Sequence, residues 1–133
     1  MKSKMWMVAL GMWMSAAGAQ AGDDTVGQKF DVFCGEWMQK LAVRERDNRA
    51  SVKWQNGPGG VLGEFVGYST EHKCVLKDAA TPQDTPIGKI TYRELLYRQK
   101  GGSKAEAESS PPQAVEATEV TEIFRYTKGK WMY

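Results

Sequence analysis

Three glutamates that alternate with apolar residues are the side chains of this chain best placed to do chemistry. Glu64, Glu94 and Glu122 each have apolar residues two positions before and two positions after them. Because residues two apart share one face of a β-strand, these carboxylates would project from partly apolar rows. A carboxylate in that setting can hold a cation or a basic ligand, or act as a general acid or base.

Aromatic residues occur in the same stretches, and their rings can stack on a planar ligand or a sugar. Together with the glutamates they define a candidate ligand-lining set on the concave face of a curved sheet. The set is Glu64, Tyr68, Tyr92, Glu94, Glu122, Phe124 and Tyr126. Two other arrangements fit the same pattern. Arg93, Arg98 or Arg125 could neutralise the carboxylates from neighbouring strands, or these rows could face water while the opposite rows form the core.

The sequence offers few residues for other kinds of catalytic chemistry. His72 is the only histidine, no nucleophile-elbow motif accompanies it, and a zinc site lacks ligands. The string from Asn56 to Gly60 lacks the Gly-Lys-Ser/Thr ending of a phosphate-binding loop. We therefore predict no catalytic triad, no metal site and no cofactor. The enzymatic alternative is a small enzyme with Glu94 as acid or base near Tyr92.

The first residues have the three parts of a secretory signal. A basic start, an apolar run and a small-residue ending follow in order: Lys2 and Lys4, Met5 to Met14, and Ala19-Gln20-Ala21. We predict a signal peptide over residues 1–21 and one exported β-rich domain, periplasmic or secreted, over residues 22–133. The apolar run is about ten residues, short of the roughly twenty that cross a bilayer, so no transmembrane span is expected after cleavage.

Cys34 and Cys74 are the only cysteines, and neither belongs to a CxxC pair. In an exported protein two such cysteines most simply form one disulfide. Closing that loop would stabilise the fold by about 4 kcal/mol on the chain-entropy estimate. A reactive free thiol or a metal pair is the alternative.

The charges balance once the predicted signal is removed. The chain has 18 Lys and Arg and 16 Asp and Glu, and the two basic residues lost with the signal leave a neutral domain. The basic isoelectric point of the whole chain is therefore no indication of a nucleic-acid partner. The charges are segregated into a basic segment with Lys40, Arg44, Arg46, Arg49 and Lys53 and an acidic one with Glu106, Glu108, Glu116, Glu119 and Glu122. These segments predict either solvated faces or a docking patch.

One helix is predicted near the start of the mature domain. Thr25 and Gln28 have capping-box spacing. Apolar residues follow at intervals of three and four: Phe30, Phe33, Cys34, Trp37, Met38 and Leu41. This predicts an amphipathic helix from about Val26 to Gln39 that packs on a sheet, since Gly35 weakens it by up to about 1 kcal/mol.

Alternation of period two dominates the rest of the chain. The longest run, from Ile87 to Gln99, predicts the central strand. Further strands are predicted at residues 41–45, 51–55, 61–69, 72–77, 104–109, 115–126 and 131–133, with loops at 56–60 and 79–86. Gly63 and Gly67 predict a bend or a close backbone approach in their strand. The aromatic end of the chain predicts a buried terminus.

Short pieces of the chain resemble two known architectures. Gly35-Glu36-Trp37 and Gly63-Glu64-Phe65-Val66-Gly67 are similar to the openings of lipocalin-like and avidin-like barrels. The stretch Glu122-Ile123-Phe124-Arg125-Tyr126 and the ending Gly129-Lys130-Trp131 are similar to the last strands of the nuclear-transport-factor-like cone fold. These resemblances imply a curved antiparallel sheet, and no family residue is carried over from them.

The sequence thus predicts a mainly β, α+β fold with one N-terminal amphipathic helix on a curved antiparallel sheet or small barrel. The cone-shaped nuclear-transport-factor-like fold is the alternative. For function it favours a small exported, non-enzymatic binding or accessory protein of the cell envelope, with a small ligand or an envelope protein as its partner. A small enzyme with a pocket carboxylate and a structural component of an envelope assembly are the other hypotheses.

Overall fold

The computed structural model describes residues 25–77, 81 and 84–133, which form two helices and a six-stranded sheet. In chain order the elements are α1 (Val26–Ala50), β1 (Gln55–Gly57), β2 (Gly60–Tyr68), β3 (Lys73–Lys77), β4 (Ile87–Gly101), α2 (Lys104–Ser109), β5 (Gln113–Thr127) and β6 (Lys130–Met132). The predicted signal peptide and part of the predicted loop at 79–86 lie outside the described residues.

β4 is the centre of the sheet, as its long alternation predicted. It pairs with β2, β3 and β5, while β1 extends the sheet from β2 and β6 extends it from β5, all antiparallel. β5 has one extra residue, Val115, opposite the Leu96–Tyr97 step of β4, and a bulge of this kind bends a sheet. The sheet curls into a half-barrel with α1 packed against it, which confirms the predicted α+β fold.

α1 begins at the predicted capping box and buries the predicted apolar stripe. The Thr25 hydroxyl accepts a hydrogen bond from the Gln28 N–H, and the Gln28 side chain accepts one from the Thr25 N–H, both at 3.1 Å. The core between helix and sheet consists of Phe30, Phe33, Cys34, Leu41, Ile90, Tyr92, Phe124 and Trp131. The side of the sheet that carries Ile90, Tyr92 and Phe124 is called the helix face below.

The predicted end of α1 at Gln39 is wrong, because the helix continues to Ala50. The strand predicted at 41–45 is therefore helical. Leu41, Glu45 and Asn48 prolong the same helical face, and the residues between them are mostly good helix formers. The alternation in this stretch was accidental, since Val43 is exposed whereas Leu41 is buried.

The second half of α1 crosses the outer edge of β2. A Glu45 carboxylate oxygen accepts a hydrogen bond from the Tyr68 N–H, and the Asn48 amide donates one to the Val66 carbonyl, both at 2.9 Å. β1 pairs only with the first three residues of β2. Helix side chains therefore satisfy backbone groups that would otherwise form an open sheet edge.

The buried face of the sheet changes between the two halves of β4. Gly88, Ile90 and Tyr92 are buried on the helix face in the first half of β4, whereas Gln99, on the opposite face, is buried in the second half. In β2 the buried positions are the row that contains Phe65, opposite the row that contains Glu64. In β2, therefore, the row opposite Glu64 forms the core. This is the alternative in which the glutamate row faces water.

Glycines permit the close approach that this packing needs. A Cβ at Gly67 would meet the Glu45 carboxylate and the Tyr97 ring, and one at Gly63 would meet Trp54 and Val52. The close neighbours of these two glycines are side chains, whereas the sequence predicted a bend or a close backbone approach.

Cys34 on α1 faces Cys74 on β3, with their Cα atoms 6.5 Å apart, which suits a disulfide. The predicted pairing is confirmed to that extent, and α1 lies across β3 as the pairing required. No helix in residues 25–77, 81 and 84–133 combines the length and apolar character needed to cross a membrane.

The strand predicted at 104–109 is wrong, because these residues form α2. Ser103 caps this helix by accepting a hydrogen bond from the Glu106 N–H at 3.2 Å. Ala107 is fully buried against β4, and the Gln99 amide donates a hydrogen bond to the Ser110 carbonyl at 2.7 Å. Local capping and one buried alanine therefore outweigh the alternation in the sequence.

Two smaller predictions also differ from the structure. The loop predicted at 56–60 is a tight hairpin in which β1 and β2 pair on either side of Pro58 and Gly59, and the strand predicted at 51–55 is reduced to Gln55. At the chain end Trp131 is buried, and its indole N–H donates a hydrogen bond to the Val26 carbonyl. Tyr133 is 71% exposed. The predicted burial of the chain end is therefore correct for the Trp131 ring and wrong for the Tyr133 ring.

Candidate functional site

Tyr92 and Glu122 form the one pair of predicted ligand-lining residues that a hydrogen bond joins among the described residues. The Tyr92 hydroxyl donates to a Glu122 carboxylate oxygen at 3.2 Å on the helix face. Burial, followed by the nearby Glu122 charge, raises the pKa of Tyr92 to about 12. The hydroxyl is therefore neutral and a donor at ordinary pH, which orients Glu122 and excludes Tyr92 as a ready base.

The surroundings of this pair are those of a core. The Tyr68 ring lies edge-on to Tyr92 with centroids 6.0 Å apart. The Trp37 indole N–H lies close enough to the Tyr92 oxygen to oppose part of the pKa shift, but it does not reach hydrogen-bond geometry. No described residue accepts that N–H. Phe124 is buried against Phe33 and Trp37, so it serves packing first.

Glu64 is paired with an arginine on the neighbouring strand. Arg98 donates from Nε at 2.9 Å and from Nη2 at 2.8 Å to one Glu64 oxygen. The two residues are Cα partners in the β2–β4 ladder. This is the arrangement in which an arginine neutralises the carboxylate across strands, and at a partly exposed site it contributes at most about 1 kcal/mol.

The three glutamates share one face of the sheet but do not meet. In the ladders with β4, Glu122 lies opposite Ile90, Glu94 is on β4 itself, and Glu64 lies opposite Arg98. Successive glutamates are therefore four residues apart along the direction of β4, a spacing of about 13 Å. The Tyr126 ring, also in the predicted set, lies tilted against the Trp131 ring with centroids 5.3 Å apart. Binding by these residues stays a prediction, and the structure offers no single carboxylate-lined pocket for it among the described residues.

Two clefts in the described part of the chain are shallow and open to solvent. One of about 400 Å³ is lined by Ser51, Lys53, Gln55, Leu62, Gly63 and Glu64. The other, of about 420 Å³, is lined by Glu71, His72, Lys73, Thr91, Tyr92, Arg93 and Glu119. No group of three or more His, Cys, Asp or Glu in this part is placed to hold a metal ion. Such clefts suit surface recognition better than chemistry that must exclude water.

A long backbone edge is the first surface that the sequence did not indicate. β6 pairs only with Arg125–Thr127 at the end of β5. Along Gln113–Phe124, β5 pairs with β4 on one side, and no described residue pairs with it on the other. Gln113–Glu119 are exposed throughout. This edge, called the β5 edge below, is about 40 Å long.

A basic sheet face is the second such surface. The face opposite the helix, called the open face below, is formed by alternate residues of β3, of β4 up to Arg93, of β5 from Glu119, and of β6. Its charged residues are Lys73, Lys77, Lys89, Arg93, Glu119, Arg125 and Lys130. The alternation Lys73-Val75-Lys77 was a signal for this face, but only the register of four strands shows that the charges lie together.

The comparisons with known proteins add no family to this description. Neither protein-family models, nor curated proteins, nor solved structures match the chain.

Proposed function

We propose that this is an exported, non-enzymatic binding protein that pairs an extended basic segment of a protein partner with the β5 edge. The observation that carries the proposal is the length of β5 that has a neighbouring strand on one side only among the described residues. An edge of this kind presents a row of backbone donors and acceptors, and adding a strand from a partner satisfies them.

The charge of the β5 edge supports a basic partner. Glu116, Glu119 and Glu122 lie along it, and no Lys or Arg occurs between Gln113 and Phe124. Opposite charges on paired strands stabilise pairing, whereas like charges weaken it. The glutamates therefore disfavour addition of a second copy of the same edge and favour a strand that carries Lys or Arg.

The wider geometry supports binding over catalysis. The glutamates on the helix face are spread along β4, Glu64 is engaged by Arg98, and Glu122 accepts its hydrogen bond from a neutral tyrosine. Strand addition needs no catalytic group, because backbone hydrogen bonds supply the affinity.

A synthetic peptide tests the proposal. The peptide has the length of Gln113–Phe124, alternates Thr and Val, and carries Lys opposite each of the three edge glutamates in an antiparallel register. We expect saturable binding by calorimetry and slower hydrogen exchange of the β5 amides. Glu116→Lys with Glu119→Lys should weaken binding at least about tenfold, since direct charge pairs become like-charge contacts.

Matched controls decide the outcome. Glu106→Lys with Glu108→Lys changes the total charge equally on α2, away from the β5 edge, and should leave binding unchanged. A peptide N-methylated along its pairing edge should not bind. Equal binding of the N-methylated peptide, or exchange protection confined to other strands, would contradict strand addition.

Export is proposed on separate grounds, the signal-like residues 1–21 and the disulfide-compatible Cys34–Cys74 pair. Native mass spectrometry of the protein recovered from the periplasm or medium should give the mass of residues 22–133 less the two hydrogens of one disulfide. Recovery of the full-length chain from the cytoplasm with free thiols would contradict export.

A further inference from the structure

The open face is far more basic than the composition of the chain requires. Its strands carry Lys73, Lys77, Lys89, Arg93, Arg125 and Lys130 against one acidic residue, Glu119, and Glu71 lies beside them in the cleft of about 420 Å³. The ion pairs found among the described residues join Arg46 to Asp47, Arg98 to Glu64 and Lys104 to Glu108. None of them includes a basic residue of the open face, so the face presents a net positive field to its surroundings.

Apolar side chains project between these charges. Val75 is 54% exposed, Ile123 is 60% exposed and Met132 is 46% exposed. Val75 and Ile123 both lie beside Lys89 in the register, and Met132 lies beside Arg125. The face thus combines cationic side chains with aliphatic groups that gain from leaving water.

We infer that the open face is a docking surface for an anionic lipid membrane, bound through the phosphates of its headgroups. The charge favours an anionic occupant. Four of the six basic residues are lysines, which act as point charges toward phosphate but are depleted at protein–protein interfaces. The apolar residues are aliphatic, without the aromatic anchors that dominate protein interfaces, and can enter the headgroup region.

The shape of the face agrees with this occupant. Four adjacent strands present these side chains as a patch about 14 Å across in the direction of the hydrogen bonds. The cleft lined by Lys73, Arg93 and Glu119 lies at one end of this patch and is open to solvent. Each basic residue close to an anionic bilayer strengthens binding about fivefold. Docking by this face leaves the β5 edge directed sideways, so the inference does not rest on the proposed function.

Vesicle sedimentation tests the inference. The protein is mixed with vesicles of phosphatidylcholine alone or with added phosphatidylglycerol. We expect binding to the mixed vesicles only, with affinity that falls as sodium chloride is raised. Lys77→Glu with Arg125→Glu, which flank Ile87 in one register row, should weaken binding at least about 25-fold. Ile123→Ser with Met132→Ser should remove most of the binding that persists at high salt.

The control is Arg44→Glu with Arg46→Glu on α1, where both side chains are exposed and the change in total charge is the same. This variant should bind the mixed vesicles as the unmodified protein does. Equal loss in the two charge variants would overturn the inference, because binding would then follow net charge rather than the open face. No loss of binding in either variant would also overturn the inference. Binding would then come from another part of the chain that both variants share, such as residues 1–24.

Two further probes separate other sources of negative charge. Inorganic phosphate should compete no better than chloride at equal ionic strength, because the face recognises an array of headgroups. Binding of a polyglutamate peptide with no binding to either vesicle would overturn the inference in favour of an acidic protein partner.

Discussion

The Tyr92 hydroxyl lies at the core, where it donates a hydrogen bond to the Glu122 carboxylate. Ionising that phenol would put a second negative charge beside Glu122 with little water to solvate it. The pair is therefore stable only while Tyr92 is neutral, and its contribution to folding depends on pH.

The folded-state pKa of Tyr92, about 12, lies above the ordinary value of 10.0. A group with a raised pKa stabilises the fold fully below its unfolded pKa, and that contribution is lost as pH rises through the folded pKa. We expect one phenol to ionise later than an ordinary tyrosine in an absorbance titration. Tyr92→Phe should remove this late step and lower the free energy of unfolding by about 1 kcal/mol at neutral pH.

Tyr97→Phe is the matched control for that loss, since the Tyr97 hydroxyl takes part in none of the hydrogen bonds found among the described residues. Its effect on unfolding should be smaller. A late-ionising phenol that persists in Tyr92→Phe would refute the assignment.

The helices and strands show which part of the fold could be predicted from local pattern. The capping box at Thr25 and Gln28 predicted where α1 starts, and the stripe from Phe30 to Leu41 predicted what it buries. The alternation around Tyr92 predicted β4. The end of α1 could not be predicted, because residues 41–45 fit both a helix and a strand. What decides between them is the β2 edge, which Glu45 and Asn48 reach only in the folded protein.

The sequence indicated the sheet face of the carboxylates but not their arrangement, and the role of the predicted site residues stays a prediction. The alternation correctly placed Glu94 and Glu122 on one face of the sheet. It did not show that they lie far apart, or that Arg98 engages Glu64, since both depend on the register between strands that are distant in sequence.

Two glycines on facing elements should respond oppositely to an added methyl group. Gly35 is exposed on α1, and a Cβ added there would meet nothing within 4 Å, so Gly35→Ala should stabilise the fold by about 0.5–1 kcal/mol. At Gly88 the same Cβ would meet the Phe30 ring, and Gly88→Ala should destabilise by about 1–3 kcal/mol. Urea denaturation measures both, and a stabilising Gly88→Ala would contradict the helix–sheet contact described above.

At the scale of the molecule, the Cys34–Cys74 pair links α1 to β3 across 40 residues of sequence. Cys34→Ala with Cys74→Ala should lower the free energy of unfolding by about 4 kcal/mol, because the unfolded chain regains its loop entropy. Thermal unfolding with and without reductant measures this difference. Reductant should not affect the double variant, and equal melting of the oxidised and reduced wild-type protein would show that no bond forms.

The crossing of β2 by α1 has a consequence for stoichiometry. Endless stacking of strands into a fibril requires two long open borders on every subunit, and here Glu45 and Asn48 already occupy one of them. The outer borders of β1 and β3 are only three and five residues long. β5 is therefore the one long open border among the described strands, so we expect one partner strand to pair directly with each molecule.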